Sequence, residues 1–382
     1  LPIATKFIPK ENRISIKEKH EIFCKTDKII WGNTVNSNYE RFFGRGKLSG
    51  NLTDKKILII GCGALGSSLA EILVRGGCKY IALDDFDKVA SGNLCRAKYD
   101  LLNLNSSKIE SLKNNLINIS PFVSIFNIPF KLNYYYDMNE WLNKSIDFVF
   151  DCSTDTEVTY SLDKSEFKGR IFSLSITNKA KELICVNGND ITRKTNHFYE
   201  FLGNEEPSFF EGTGCGYPTF EANFNDISSL LNLAIMNINF QIDNSTFSDN
   251  FIIKQNFENG FKNLKIQGYQ EFFESTTSNY LYISNDILSK IKQELSNHYP
   301  NEFGGVFVGF KQNELIVIED VLIPDDFENG KTIFVRRPGT LNERLELIFN
   351  TTKGKITYIG EWHSHPGGPP NPSSTDINAM QE

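Results

Sequence analysis

The 382-residue sequence has no run of the about 18 consecutive apolar residues that a membrane-spanning helix needs; its longest apolar runs are strand-sized, such as Ile57–Ile60. A membrane span is therefore excluded. No basic segment followed by an apolar one stands at the start, so no secretory leader is legible. Positive charge is also scarce. Lys and Arg number 40 against 47 Asp and Glu, a net charge of −7, and no basic cluster dominates. This argues against nucleic acid as the main partner and fits an ordinary soluble surface. The seven cysteines are scattered and form no C-x-x-C pair, which argues against a four-cysteine zinc site. Their usage suits a reducing, cytoplasmic setting. Histidines number only five, and two of them, His363 and His365, stand two residues apart. No internal repeat is present. What remains is ordinary globular usage, 40% hydrophobic and 23% charged. The length suits two or three domains, large enough to hold a core without disulfides.

The pattern along the chain predicts a change of architecture near residue 280. Residues 1–38 show no clear period and no assigned role. From Lys55 the pattern is βαβ: a strand over Lys55–Ile60, a glycine turn, a helix to about Arg75 and a strand near Tyr80–Leu83. A helix is expected over Ser107–Ile119, with buried strands at Ile146–Phe150 and Ile171–Leu174. Alternating strands and helices imply a mostly parallel sheet covered on both faces. A helix over 226–240 and a hairpin turning at Glu258-Asn259-Gly260 close this α/β domain, placed at 39–273. The small polar residues 274–279 read as a linker. A smaller α+β domain follows over 280–382, with a helix over Asp286–Asn297 and strands at Gly305–Phe310, Leu315–Glu319 and Ile356–Trp362. Leu1 is expected to follow a start outside this sequence, and the C-terminal domain is expected to lack its closing element.

Gly61-Cys62-Gly63-Ala64-Leu65-Gly66 follows the first strand and opens a helix. Such glycines permit a tight turn and let phosphate approach the helix N-terminus, where free N–H groups and partial positive charge face it. An acidic residue, Asp84 or Asp85, lies about 20 residues on, as a ribose-binding carboxylate would. That much also suits a dinucleotide reductase. The next residues redirect the reading: Asp85-Phe86-Asp87, then Asn93-Leu94-Cys95-Arg96, then Lys108 at a helix start, then Asp151-Cys152-Ser153-Thr154-Asp155 after a buried strand. This ordered set resembles the ThiF/MoeB-type adenylating enzymes of the ubiquitin-activating superfamily, with a Rossmann-like adenylation domain. The resemblance implies that Asp85 holds the ATP ribose, that Asn93, Arg96 and Lys108 hold the triphosphate, and that Asp155 binds magnesium. Gly61, Gly63 and Gly66 form the nucleotide turn. One residue more than the family pattern separates Asp151 from Asp155. The family also places an arginine just before the first strand, often reaching into a partner subunit, and Arg41 is the candidate, with Arg45 the alternative. By the same resemblance the chain is expected to form a homodimer.

Cys215, in the glycine-flanked run Gly212-Thr213-Gly214-Cys215-Gly216, precedes the 226–240 helix. It is placed where the activating family carries the thioester-forming cysteine, and it reads equally as a buried structural thiol. Cys62, Cys78, Cys95, Cys152 and Cys185 are expected to be structural.

In the second domain, Glu361-Trp362-His363-Ser364-His365-Pro366 follows a strand, and Ser373-Ser374-Thr375-Asp376 comes later, with ten residues separating His365 from Asp376. Two histidines at i, i+2 point to one side, and a third ligand from a later turn leaves one zinc position open, the catalytic arrangement. A carboxylate, Glu302, stands before an upstream strand. The pattern E…H-x-H-P…S-x-x-D resembles the JAB/MPN metalloproteases with their JAMM motif. It implies zinc on His363, His365 and Asp376, Glu302 as general base and Ser373 supporting the oxyanion. The short interval from Glu302 to His363 predicts no long substrate-clamping insertion.

Together the two resemblances imply a bacterial fusion that activates the C-terminal glycine of a ubiquitin-like protein with ATP and cuts after such a glycine. It would belong to a conjugation system, often one of phage defence, and could hand the carrier to a ubiquitin-conjugating-like enzyme. The alternative is a sulfur-carrier pathway ending in a thiocarboxylate. A non-catalytic scaffold and a nicotinamide oxidoreductase are the remaining classes, and the intact metal and Asn93–Arg96 elements speak against them.

Overall fold

The computed structural model describes residues 37–128, 138–203, 221–245, 250–337, 339–369, 371–373 and 376–377. The chain divides into two compact units, residues 1–45 and 46–382. The described part of the first contains a one-turn helix, Tyr39–Phe42, whose N-terminus is capped by the Asn38 side chain accepting from the Arg41 N–H at 3.0 Å.

The second unit is organised on one twelve-stranded sheet. Strand β1 (Lys56–Ile60) is aliphatic and buried beyond its first residue. It lies in parallel between β2 (Tyr80–Asp84) and β4 (Phe148–Asp151). Strand β3 (Ser124–Asn127) extends one side and β5 (Arg170–Thr177) the other, both in parallel. These five strands form the Rossmann-like part expected from the βαβ pattern. Alternate residues of β1 face opposite ways, as the strand period requires. Ile57 and Ile59 join a core with Leu69 and Leu73 of α1 (Ala64–Arg75), Leu112 and Leu116 of α2 (Lys108–Ile119), and Leu230 and Ile238 further on. Leu58 and Ile60 join the opposite core with Leu142 of α3 (Met138–Ser145), Leu162 of α4 (Thr156–Lys164) and Phe198 of α5 (Ile191–Leu202). That double burial is why the strand reads as a continuous apolar run rather than an alternating one.

Beyond β5 the pairing turns antiparallel through β6 (Glu182–Asn187), β7 (Asn250–Glu258) and β8 (Phe261–Glu274). Helix α6 (Phe224–Asn244) precedes β7 and exceeds the expected 226–240 at both ends. The β7–β8 hairpin turns on Asn259 and Gly260, at φ 51° and 81°. Two such residues in succession match the primed hairpin turns that Asn-Gly favours.

Residues 274–279 read as a linker in sequence. In the structure 275–278 form the turn joining β8 to β9 (Asn279–Ser284), which pair antiparallel over six residues from Tyr269–Ser284 to Glu274–Asn279. Small polar residues suit a tight turn as well as a linker, and composition alone does not separate the two. Strand β9 pairs in parallel with β11 (Leu315–Leu322), which pairs with β10 (Gly304–Gln312), and β14 (Thr357–His363) closes the far edge. Helices α7 (Asn285–His298) and α8 (Leu341–Thr351) accompany these strands, and a short hairpin, β12 (Phe327–Gly330) with β13 (Ile333–Arg336), lies outside the main sheet. Tyr282, Leu315 and Val317 belong to the same buried cluster as Leu58 and Phe198. No helix among the described residues is long and apolar enough to cross a membrane.

Candidate functional sites

At the carboxyl ends of β1, β2 and β4 lies a cavity of about 390 Å³. Gly61, Gly63, Asp85, Asn93, Arg96, Lys108 and Asp155 all line it, so seven of the eight sequence-selected nucleotide residues converge from separated segments. The eighth, Gly66, acts from behind. A Cβ there would stand 1.8 Å from the Gly61 carbonyl oxygen, so only glycine lets α1 pack this close to the turn. Gly61 has φ 81°, and a Cβ on it would sit 2.8 Å from the Ser153 Cα. Gly63 faces open space and precedes α1 with no side-chain cap. The leading N–H groups of α1 thus remain for an anion.

Asp85 organises the turn. Its Oδ2 accepts from the Cys62 N–H at 2.7 Å and its Oδ1 from the Asp87 N–H at 2.8 Å. Lys108 is buried, donates to Asp87 at 2.8 Å and lies 3.7 Å from Asp85. Asn93 is buried and accepts from the Ala90 N–H at 2.9 Å. Asp155 caps α4, accepting from the Glu157 N–H at 2.9 Å. The extra residue before it is absorbed by Thr154, held in the left-handed region at φ 55°, a strained choice for a non-glycine residue. Asp151 is spent on structure: it accepts from Ser153 and Ser173, and burial pushes its carboxyl above the ordinary range. The donor set suits magnesium triphosphate: the cations Arg96 and Lys108, open helix N–H groups, and the cavity-lining carboxylates Asp84, Asp85, Asp87 and Asp155, of which magnesium needs only one or two. Leu65, Val158, Ile176 and Ile227 supply an apolar side to the same cavity.

Sequence reasoning missed Tyr99. Its buried hydroxyl donates to the Cys62 carbonyl at 2.7 Å, so Asp85 and Tyr99 hold the glycine turn from both sides. Nothing in a lone tyrosine signals this; the contact exists only in three dimensions. Cys62, Cys78, Cys152 and Cys185 are buried as expected, and desolvation raises every one of these thiols, Cys78 to about 12. Cys95 is exposed, correcting its assignment as a packing residue; it belongs to the turn after Ser91–Asn93 rather than to a strand or α1. Arg41 lies on the Tyr39–Phe42 helix and Arg45 ends the first unit. Cys215 lies outside the described residues.

The second site is compact in sequence. His363 ends β14, and His365 and Asp376 follow it. His363 Nε2 and His365 Nε2 are 2.8 Å apart, and Asp376 oxygens lie 3.2 and 3.4 Å from them. The three ligand atoms fall within 4.8 Å of one another, the one grouping of this kind among the described residues. Two imidazole nitrogens facing each other beside a carboxylate are a donor set that fits zinc. The Pro369 carbonyl, 3.2 Å from His365 Nδ1, can accept that N–H and leave Nε2 as the ligand atom. Ser373 and Asp376 bond reciprocally, N–H to carboxylate at 2.6 Å and N–H to hydroxyl at 3.2 Å. The Ser373 contacts come first among the effects that pull the Asp376 carboxyl down, ahead of the two histidines.

Pairing places Glu302. Gly304 opposes His363 across β10 and β14, and a Cβ on Gly304 would stand 2.7 Å from the His363 Cβ. Phe303 exchanges hydrogen bonds with Ser364, at 2.9 Å to its own carbonyl and 3.2 Å from its N–H. Glu302 thus stands two residues before Gly304 on the segment that enters β10, with its N–H donating to the Gly330 carbonyl of β12 at 2.7 Å. Ser364 is a second residue that the motif left unassigned.

Comparison with known proteins finds a family match for each half of the chain. Residues 36–271 match the ThiF family, and residues 284–382 match the prokaryotic homologues of the JAB domain. Over 210 residues the chain is 28% identical to the ATP-dependent ubiquitin transferase-like protein Cap2 of Enterobacter hormaechei, covering 53% of this chain and 35% of Cap2. Over 104 residues it is 30% identical to a CD-NTase/cGAS isopeptidase of Escherichia coli, covering 26% of this chain and 66% of that protein. The crystal structure of E. coli MccB with ATP aligns at a TM-score of 0.41 and 17% identity, over 57% of this chain and 64% of that one. The chain thus spans about a third of the first relative and about two-thirds of the second.

Proposed function

The chain belongs to the ThiF family and carries a JAB-type domain, and from that premise we propose that it acts at both ends of a ubiquitin-like carrier's cycle. One site adenylates the carrier's C-terminal glycine with ATP. The other hydrolyses the peptide or isopeptide bond after that glycine, in a bacterial antiviral conjugation pathway and in the cytosol. The observation that carries this reading is the convergence of Asp85, Asn93, Arg96, Lys108 and Asp155 on one cavity behind an uncapped helix N-terminus.

In adenylation the glycine carboxylate forms a bond to the α-phosphorus while the bond to the pyrophosphate oxygen breaks. Negative charge gathers on the phosphate oxygens and the leaving pyrophosphate. Arg96 and Lys108, which line the cavity, and the N–H groups of α1 are assigned to offset it; one such preorganised donor is worth about 10²–10³ in rate. Asp85 is given the ribose and Asp155 a magnesium ion, which would supply charge neutralisation. Lys108 first has to exchange Asp87 for phosphate, an exchange between two anionic partners at little desolvation cost. Cys215 is assigned thioester transfer, with a conjugating-enzyme-like partner receiving the carrier.

In hydrolysis, zinc on His363, His365 and Asp376 would supply a Lewis acid and a water acidified to a pKa of about 7. Glu302 takes the proton of the attacking water and returns it to the leaving amine. Ser373, while fixing Asp376, is given the oxyanion.

The test is carrier-dependent ATP–pyrophosphate exchange together with intact mass of the protein after magnesium-ATP and a carrier ending in Gly-Gly. Exchange with a thiol-sensitive adduct lost in Cys215→Ala supports conjugation. Exchange without the adduct moves the reading to sulfur-carrier activation. No exchange sinks the adenylation assignment.

A further inference from the structure

The two sites share one sheet. Its order is β14-β10-β11-β9-β8-β7-β6-β5-β4-β1-β2-β3, so nine neighbour steps separate the strand bearing His363 from the strand that opens the glycine turn. At about 4.8 Å per step, the span along the sheet is roughly 43 Å. Following the pairing directions from strand to strand, β14 and β1 run in the same sense, so both sites lie beyond carboxyl ends. A sheet twists by about 20–25° per strand, which over these nine steps amounts to half a turn or somewhat more and aims the two ends apart.

This separation is held by the junction itself. The β8–β9 turn has four residues, 275–278, and β9 is hydrogen-bonded on both sides. Arg193 of α5 forks onto Glu271 of β8 at 3.0 and 3.1 Å and lies 3.9 Å above the Tyr280 ring of β9. The Tyr282 hydroxyl donates to Glu271 and lies 3.1 Å from His197 Nδ1, whose Nε2 is 3.5 Å from Glu314 at the β10–β11 turn. Arg193 and His197 belong to the adenylation half, and Tyr280, Tyr282 and Glu314 to the other. His197 and Tyr282 are buried. Among the described residues, the junction is thus braced by a tight turn, a strand ladder and these side-chain contacts.

Resting on the proposed function, we propose that a carrier trimmed at the metal site is released to solution before the same chain adenylates it. Hydrolysis yields the free glycine carboxylate, which is the substrate of adenylation, so the metal site comes first for any given carrier. An extended tail reaches at most about 3.5 Å per residue, so roughly a dozen residues are needed for the straight span alone. A shorter tail cannot pass between the sites while its folded body stays docked.

The experiment uses the full chain with zinc, magnesium-ATP and a tagged carrier whose glycine bears a C-terminal extension. A tenfold molar excess of untagged carrier, already ending in glycine, is added at the start. Tail release and pyrophosphate exchange are assayed alone beforehand; absence of either is failure of the proposed function and is seen separately. The expected result is a fall in tagged adenylate of about tenfold at equal tail release. Undiminished tagged adenylate overturns the inference, because it requires handover without release. The geometry is tested without either activity by spin labels on Cys95 and on Asn371→Cys, both positions exposed, in a Cys24→Ser, Cys215→Ser background. A narrow distribution beyond about 30 Å is expected from nine strand spacings; a maximum below about 20 Å, or a broad distribution, overturns the rigid separation.

Discussion

The nucleotide cavity and the metal triad are built in opposite ways. The cavity draws its lining from Ile60 to Ile227, takes Lys108 and Asn93 into burial, and is held by contacts between residues far apart in the chain. The triad takes its side chains from His363 to Asp376 and is only partly buried. A deep site assembled by tertiary packing can be damaged from many positions, because each neighbour sets the position of another. A local site at a strand end depends on its own ligands and on the register of one strand pair. The difference also governs recognition. The triad is legible by spacing alone, whereas the cavity is legible only through the order of separated elements.

This contrast makes predictions of decreasing size. His363→Ala removes one of three metal ligands and should lower peptide-bond cleavage by more than about 10³-fold with loss of bound zinc, if zinc supplies the chemistry named above. Metal content and pyrophosphate exchange are measured on the same sample, and a parallel loss of exchange would show the two sites to be coupled. Lys108→Ala should cut carrier-dependent exchange by about 10²–10³-fold, the value of one preorganised charge donor, with cleavage within twofold of the parent. Cleavage falling as far as exchange breaks the comparison from the other side. Gly66→Ala forces a methyl into the Gly61 carbonyl and should destabilise the chain by roughly 1–3 kcal/mol, as overpacking does. Denaturant midpoints read this, and an unchanged midpoint would mean that the turn yields.

Tyr99→Phe removes the hydroxyl that holds the Cys62 carbonyl. It should raise the KM for ATP several-fold, in line with a hydrogen bond worth about 1 kcal/mol, while kcat changes little. A fall in kcat at constant KM would instead put Tyr99 in the chemical step. The smallest effect expected is on pH dependence at the junction. Burial, then the charge of Arg193, lowers the His197 pKa below its ordinary value, against the pull of Glu314 and Glu271. The unfolded chain therefore binds more protons than the folded one between the folded pKa and about 6.5, and stability falls as pH falls through that window. Glu271, whose carboxyl burial raises but which the hydrogen bonds of Arg193 and Tyr282 and the charges of Arg193 and Lys194 together bring below the ordinary value, adds a loss in the same direction below about pH 4.5. A His197→Phe variant should flatten the thermal midpoint between pH 7 and 5.5. An unchanged slope would show that the imidazole does not carry it.

Much of this was legible in the sequence. The glycine turn, Asp85, Asn93, Arg96, Lys108 and Asp155 are chosen by order and residue type, and the structure gathers them at one cavity. His363, His365 and Asp376 come together as their spacing implies. Less legible was whatever depends on a distant partner. Tyr99 and Ser364 carry no local pattern that marks them. Strand β3 is only four residues long and carries little pattern of its own.

The polar run at 274–279 shows the limit most clearly. Its composition specifies a reversal of the chain with small, solvated side chains. Whether that reversal is a loose tether or a tight hairpin depends on what flanks it, here β8 and β9, each with a further strand alongside. Local sequence determined the strands, the helix starts, the metal-ligand spacing and the nucleotide turn, because those follow from side-chain period, backbone freedom and ligand chemistry within a few residues. Tertiary structure alone decided that the two halves share a sheet, that Lys108 is buried against Asp87, and that the two sites stand far apart. Each of those results from pairing across long loops, whose free energy is set by the partner and not by the segment.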